Sequence, residues 1–228
     1  MVYLDDNLVC ISALIDCSGS MANLDTRELA EGLTRMIKEQ TTLGKRVIFY
    51  GAKFSDNFSI FADGVDGKNI KITKEDIMPD GMTALYPAFG RMIRYTGNKL
   101  EQMTTARPGK VIFVLLSDGQ QTTEQLSFTC RQEADAPYEG RNAVSNLRKK
   151  IEEQQEKYNW QFLYLGTNYD AIKEGVKLGI SMDSCLNYAY TPKGARNAVN
   201  VCSQAMNRMQ SNAYRGFTAE EQSEAMDG

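Results

Sequence analysis

Apolar runs alternating with amphipathic stretches along 228 residues predict an α/β fold. The expected form is a Rossmann-like, doubly wound, mostly parallel six-stranded sheet with one antiparallel edge strand and helices on both faces. Three observations carry this. Residues 8–15 and 110–116 are near-continuous apolar runs, as strands buried on both faces read. Segments of helical periodicity separate the runs. Finally, the polar turn Ser55-Asp56-Asn57 joins residues 46–54 to 58–61 as a hairpin, which supplies the antiparallel edge.

In order, residues 8–15 form the central first strand and end on Asp16. Residues 24–42 place Leu29, Leu33, Met36 and Ile37 at helical spacing, with Glu28, Glu31, Arg35 and Lys38 between them, and Gly44 stops that helix. After the hairpin, Ile70-Lys71-Ile72 and residues 77–81 form an extended connection that delivers Thr83 to a helix running to about Met103. Residues 110–116 are the next buried strand, with Asp118 at its tip. Residues 142–157 read as a charged amphipathic helix, 160–165 as a strand, 169–178 as a helix ended by Gly179, and 185–188 as a last short strand. A final helix covers about 193–214 after Thr191-Pro192. Residues 1–214 are thus expected to be one domain with its core at about 8–190. Residues 215–228, acidic and poor in large apolar side chains, read as a disordered tail.

Composition removes several function classes. A formal charge of −3 with scattered Lys and Arg gives no basic face for nucleic acid or an anionic membrane. The N-terminus carries Asp5 and Asp6 where a signal peptide carries positive charge, and no apolar run reaches the roughly 20 residues of a membrane span. Five dispersed cysteines without a Cys-x-x-Cys fit reduced thiols and a cytoplasmic location. Histidine is absent, which removes the usual zinc ligand, the usual general base and every Ser/His/Asp or Cys/His arrangement. No enzyme activity is expected.

The residues that carry chemistry lie at strand ends. Asp16-Cys17-Ser18-Gly19-Ser20-Met21, Thr83 in Gly81-Met82-Thr83-Ala84-Leu85, and Asp118 in Leu116-Ser117-Asp118-Gly119 bring two carboxylates and three hydroxyls from three loops. In an α/β sheet these loops converge outside the carboxyl ends of the strands. Oxygen donors of this kind suit a hard divalent cation, with Mg²⁺ as the default and Mn²⁺ or Ca²⁺ as alternatives. Ser18 and Ser20, two apart, turn both hydroxyls to one ion, and Gly19 is expected to permit the tight path between them. Each residue also has a local reading. Asp before Ser caps helices, Thr83 can cap its own helix, and Asp-Gly is a common turn. Cys17 is expected to be a small packed thiol, and Met21 and Met82 to be packing residues or, alternatively, partner contacts.

Asp-x-Ser-x-Ser with a remote Thr and a remote Asp resembles the metal-ion-dependent adhesion site of von Willebrand factor type A domains. The stretch from Trp160 to Ala171, followed by Leu178-Gly179-Ile180 and residues 188–194, resembles the second half of small stand-alone members from bacteria and phages, so that the likeness covers about residues 8–212. The resemblance implies a binding module with Asp16, Ser18, Ser20, Thr83 and Asp118 as metal ligands. Few direct carboxylates leave the ion electrophilic, and an open position accepts Asp or Glu from a protein partner. In related systems that partner is a MoxR-type AAA+ ATPase, a surface protein or a host factor.

One departure is the long connection of residues 120–141, which leaves the sheet at the metal edge. Phe128, Arg131, Tyr138 and Arg141 on it are candidates to frame the site, a solvent loop or short extra helix being the plain alternative. Two other functions stay open beside protein binding. One is metal-assisted capture of an anionic small molecule or phosphate at helix N-termini, although the sequence has no Gly-rich phosphate loop. The other is a metal-dependent hydrolase with Asp16 as nucleophile, as in haloacid-dehalogenase phosphatases, but Ser18 stands where their second Asp supplies acid/base chemistry.

Overall fold

The structure is a computed structural model that describes residues 2–118, 128–167 and 169–228, with backbone alone at 169–171. Six strands, β1 (Tyr3–Asp16), β2 (Arg46–Phe54), β3 (Phe58–Asp66), β4 (Ala106–Ser117), β5 (Trp160–Gly166) and β6 (Cys185–Asn187), form one sheet in the order β3-β2-β1-β4-β5-β6. All neighbours are parallel except β2 and β3. The chain steps from β1 outward to β2 and β3, then returns to β4 on the other side of β1 and proceeds to β5 and β6. The switch point therefore lies between the carboxyl ends of β1 and β4, where loops diverge and leave a crevice.

Two cores sandwich the sheet because strand side chains alternate faces. Val9, Ile11, Ala13 and Ile15 of β1 point into one core, with Leu33, Met36 and Ile37 of α1 (Thr26–Gln40) and Ala198, Val201, Cys202 and Met206 of α5 (Pro192–Gln210). Cys10 and Leu14 point into the other, with Phe89 and Met92 of α2 (Leu85–Glu101), Leu147 and Ile151 of α3 (Ala143–Tyr158), and Leu178 just beyond α4 (Tyr169–Lys177). Helix ends follow local chemistry. Asp25 accepts the Glu28 N–H (3.0 Å) to start α1, which ends through a short 3₁₀ turn at Gly44 in the left-handed region (φ 78°). Thr191 accepts the Gly194 N–H (3.0 Å) to start α5, with Pro192 in its first turn.

Two expectations require correction. The tail expected to be disordered folds as α6 (Ala219–Met226). Thr218 and Glu221 form a reciprocal capping box, Glu221 also pairs with Arg208 of α5 (2.6 Å), and the Ala225 carbonyl accepts the Ala189 N–H (3.0 Å). Ala225 is buried while Met226 is exposed, so the segment docks through a small residue and an ion pair rather than a large apolar face. The second correction concerns the long connection. Its described part, from residue 128, packs on α2 through the 3₁₀ segment Glu133–Tyr138, and a second, Gly140–Asn142, leads into α3. Phe128 and Tyr138 are both buried, and Gly90 is required in α2 because a Cβ there would lie 2.2 Å from the Tyr138 ring.

Candidate metal centre

Parallel pairing sets the site. Asp16 is the last residue of β1, and register partner Ile15–Leu116 places Ser117 and Asp118 beside it at the end of β4. Both Asp16 oxygens are occupied by hydrogen bonds. Oδ2 accepts the Ser117 hydroxyl (2.6 Å) and Oδ1 accepts the Ser18 N–H (2.8 Å), which folds the loop back on the strand end. Ser20 donates its hydroxyl to Asp118 Oδ1 (2.9 Å), and Ser18 Oγ lies 3.1 Å from Ser20 Oγ. Asp16, Ser18, Ser20 and Asp118 thus form one hydrogen-bonded chain from two loops. The Asp118 carbonyl is held by the Thr167 hydroxyl of the β5 end (2.6 Å).

The third loop is tied in through its backbone. Gly19 N–H donates to the Gly81 carbonyl (2.9 Å) and Asp80 N–H donates to the Cys17 carbonyl (2.6 Å). Thr83, two residues on, is buried at the approach to α2. The glycine demanded here is Gly81 and not, as expected, Gly19. Gly81 has φ 73°, and a Cβ on it would lie 2.3 Å from the Asp56 carboxylate, whereas a Cβ on Gly19 would make only ordinary contact at 3.4 Å.

Burial dominates the electrostatics. It pushes the Asp16 carboxyl up to about 6 against the opposing hydrogen bonds of Ser117 and Ser18, with the nearby Asp118 raising it further. Asp118 is raised for the same first cause, its hydrogen bonds from Ser20 and Tyr190 acting the other way. Among the described residues neither carboxylate has an ion-pair partner. Burial also lifts the Cys17 thiol to about 12, with the Asp16 charge adding to it, so Cys17 is a packed neutral thiol.

Of the remaining candidates, Met21 is buried and belongs to the core, while Met82 is 49 % exposed on the rim beside Thr83. Phe128 and Tyr138 leave the list of surface candidates because they anchor the connection to α2. Arg131 is exposed and paired with Glu139 (2.7 Å), and Arg141 is exposed. Three residues of the site carry no signal in the sequence. Ser117 holds Asp16. Tyr190, on the loop from β6 to α5, donates its hydroxyl to the Ser20 carbonyl, accepts from Asn23 Nδ2 (3.1 Å) and lies beside the Asp118 carboxylate. Tyr188 is fully buried, its hydroxyl has no hydrogen-bond partner among the described residues, and its ionisation is suppressed by burial first and then by the charges of Asp118 and Asp16.

No family model and no curated protein matches the sequence. Solved structures do. The PilB minor pilin of Streptococcus sanguinis superposes with a TM-score of 0.58 at 13 % identity, over 90 % of this chain and 62 % of the pilin. A von Willebrand factor type A protein of Catenulispora acidiphila gives 0.53 at 18 % identity, over 86 % of this chain and 42 % of that one. The chain has the von Willebrand factor type A fold. Manganese-loaded TRAP of Plasmodium vivax aligns with this chain at a TM-score of 0.51 and 14 % identity, over 81 % of this chain and 70 % of TRAP. The chain spans less than two thirds of the pilin and of the Catenulispora protein.

The donor set fits a hard cation. Among the described residues no three His, Cys, Asp or Glu side chains converge, so a thiolate or imidazole site is not built, and the oxygen-rich strand ends hold carboxylates beside hydroxyls. Two buried carboxylates held side by side without a cationic side chain are what a divalent ion neutralises.

Proposed function

We propose that the chain is a metal-dependent protein-binding module. A divalent cation, Mg²⁺ by default with Mn²⁺ and Ca²⁺ as alternatives, is held by Asp16, Ser18, Ser20, Thr83 and Asp118, directly or through water. It presents an open position to an Asp or Glu of a protein partner. The observation that carries the reading is the convergence of Asp16 and Asp118 at the switch point, buried among hydroxyls and without an ion pair among the described residues. The manganese-loaded TRAP structure supports a divalent ion in this fold, and the pilin neighbour supports a role in protein contact.

Binding is favoured over catalysis because the chain has no histidine and the thiol between the ligands is held protonated. Bound there, the ion would supply Lewis acidity toward a partner carboxylate. The residues of this chain would hold it, and Met82 is exposed beside Thr83. The partner's identity is open to a AAA+ ATPase or a host factor. No described helix is long and apolar enough to cross a membrane, and all five cysteines are free, which supports placement in a reducing compartment such as the cytoplasm.

Capture from a lysate of the native host, with and without EDTA, tests this reading. A partner that is released by EDTA and lost with Thr83→Ala, while the variant keeps wild-type stability, supports it. A partner held equally well in EDTA places the working surface away from the ion.

A further inference from the structure

At the opposite end of the sheet, below the amino ends of β4 and β5, α2 and α3 diverge to leave a groove of about 470 Å³. Its size is that of a small-molecule pocket. Its walls combine an apolar floor from Ile93, Leu100 and Val111 with an unusual set of idle hydrogen-bond groups.

Gln154 and Trp160 are 6 % and 5 % exposed, yet neither the Gln154 carboxamide nor the Trp160 indole N–H has a hydrogen-bond partner among the described residues. Both line the groove, and their polar atoms are not among the fully enclosed partnerless ones, so they open onto it. A polar side chain more than nine-tenths buried normally finds a partner. Arg107 stands at the same groove. One of its amino groups donates to the Glu101 carbonyl at the end of α2 (3.0 Å), its buried Nε–H has no acceptor, and it forms no ion pair with any carboxylate among the described residues.

The other cations nearby are already engaged. Arg94 turns its guanidinium to Asp135 and the Ala134 carbonyl, and Lys150 and Lys157 share Glu153. The carbonyl end of α3 is likewise covered, since the Asn159 N–H donates to the Gln154 carbonyl. Among the described residues, what remains is the Arg107 guanidinium without an ion pair, beside donors from an indole and a carboxamide above an apolar floor.

We propose that this groove binds a small organic carboxylate, its apolar body on Ile93, Leu100 and Val111 and its carboxylate turned to Arg107, Gln154 and the Trp160 N–H. The planar guanidinium fork matches the flat carboxylate better than it matches the tetrahedral phosphate. The site is separate from the metal edge and does not depend on the function proposed there.

Trp160 is the one tryptophan of the chain, so its emission reads the groove directly. The probe is 4-phenylbutyrate, with 4-phenylbutyramide as its uncharged counterpart and inorganic phosphate as the simple anion. The expected result is a saturable change in emission with 4-phenylbutyrate at a Kd of about 1 mM or tighter. The amide should bind at least about tenfold more weakly, a difference within the range of a charge-assisted hydrogen bond. Arg107→Gln should bring acid and amide to the same affinity, and Gln154→Leu should weaken the acid while leaving the circular dichroism spectrum unchanged. If Arg107→Gln does not fold, the Gln154→Leu titration alone decides. No saturable change up to about 10 mM, equal binding of acid and amide to the wild type, unchanged acid affinity in Gln154→Leu, or competition by phosphate as strong as by the carboxylate would each overturn the proposal.

Discussion

Among the described residues, buried aspartates occur in two places, and the protein treats them in opposite ways. Asp135, in the connection that packs on α2, is fully buried between Arg91 and Arg94. Arg91 Nε donates to it (3.0 Å), Arg91 Nη2 does the same, and Arg94 Nη2 adds a third bond (3.1 Å). The Gln132 N–H donates as well (2.8 Å), and the Arg91 guanidinium lies over the Phe128 ring at 4.4 Å. Although burial raises the Asp135 carboxyl, the Arg91 bonds and the others outweigh it, and the group is held below the usual carboxylate range. Among the described residues Asp16 and Asp118 are met by hydroxyls and backbone amides alone, and both are raised. A buried carboxylate supplied with internal cations serves the structure. On the proposed function, the pair left without them awaits a cation from outside.

The comparison breaks first at Asp135. Arg91→Met leaves that carboxylate buried with Arg94 alone, and the expected loss is about 3–5 kcal/mol in urea unfolding at neutral pH. The sign of its pH dependence follows from the lowered carboxyl. The stabilisation is complete above the unfolded value of about 3.9 and is lost as pH falls through the lower folded value, where Asp135 protonates. The gap between wild type and Arg91→Met should therefore narrow in acid. A gap that is constant with pH would mean that Arg91 acts through packing on Phe128 and not through charge.

At the metal edge the effects are smaller. Tyr190→Phe removes the hydroxyl that bridges the Ser20 carbonyl and the Asp118 carboxylate, so cation affinity should fall by about tenfold, in the range of supporting groups around metal ligands, with little change in the apo melting temperature. A drop in stability with unchanged affinity would make Tyr190 a loop clamp only. Smallest is Tyr188→Phe. It removes a buried hydroxyl that has no partner among the described residues and lies near two carboxylates, and the expected result is a neutral change or a gain of up to about 1 kcal/mol in the apo protein. A clear loss would show that the hydroxyl is satisfied in solution.

The architecture was legible because its determinants are local. Residues 8–15 and 110–116 carry enough consecutive apolar side chains to be recognised as central strands, and the acidic and hydroxyl residues that follow them are placed by parallel pairing alone. Tyr190 and Tyr188 were not legible as site residues. An aromatic at the end of a short strand reads as core, and only the β5–β6 register brings it beside Asp118. The tail failed for a different reason. Counting large apolar residues misses a helix that docks through Ala225 and the Glu221–Arg208 pair, although Thr218-Ala219-Glu220-Glu221 is a capping-box sequence and offered the signal. Phe128 and Tyr138 were misread because a long loop suggests surface, whereas Gly90 opens α2 to receive a ring.

Calorimetric titration of Mn²⁺ into the apo protein tests most directly whether the edge carboxylates await a cation. Wild type should bind one ion per chain, and Asp16→Ala and Asp118→Ala should each bind at least about tenfold more weakly, since each removes a charged oxygen donor. The Asp135 cluster plays no part in this readout, so a mild variant there, Arg94→Gln, should bind as wild type does. Equal Mn²⁺ affinity in wild type and Asp16→Ala would contradict the assignment of the β1–β4 crevice as a metal site.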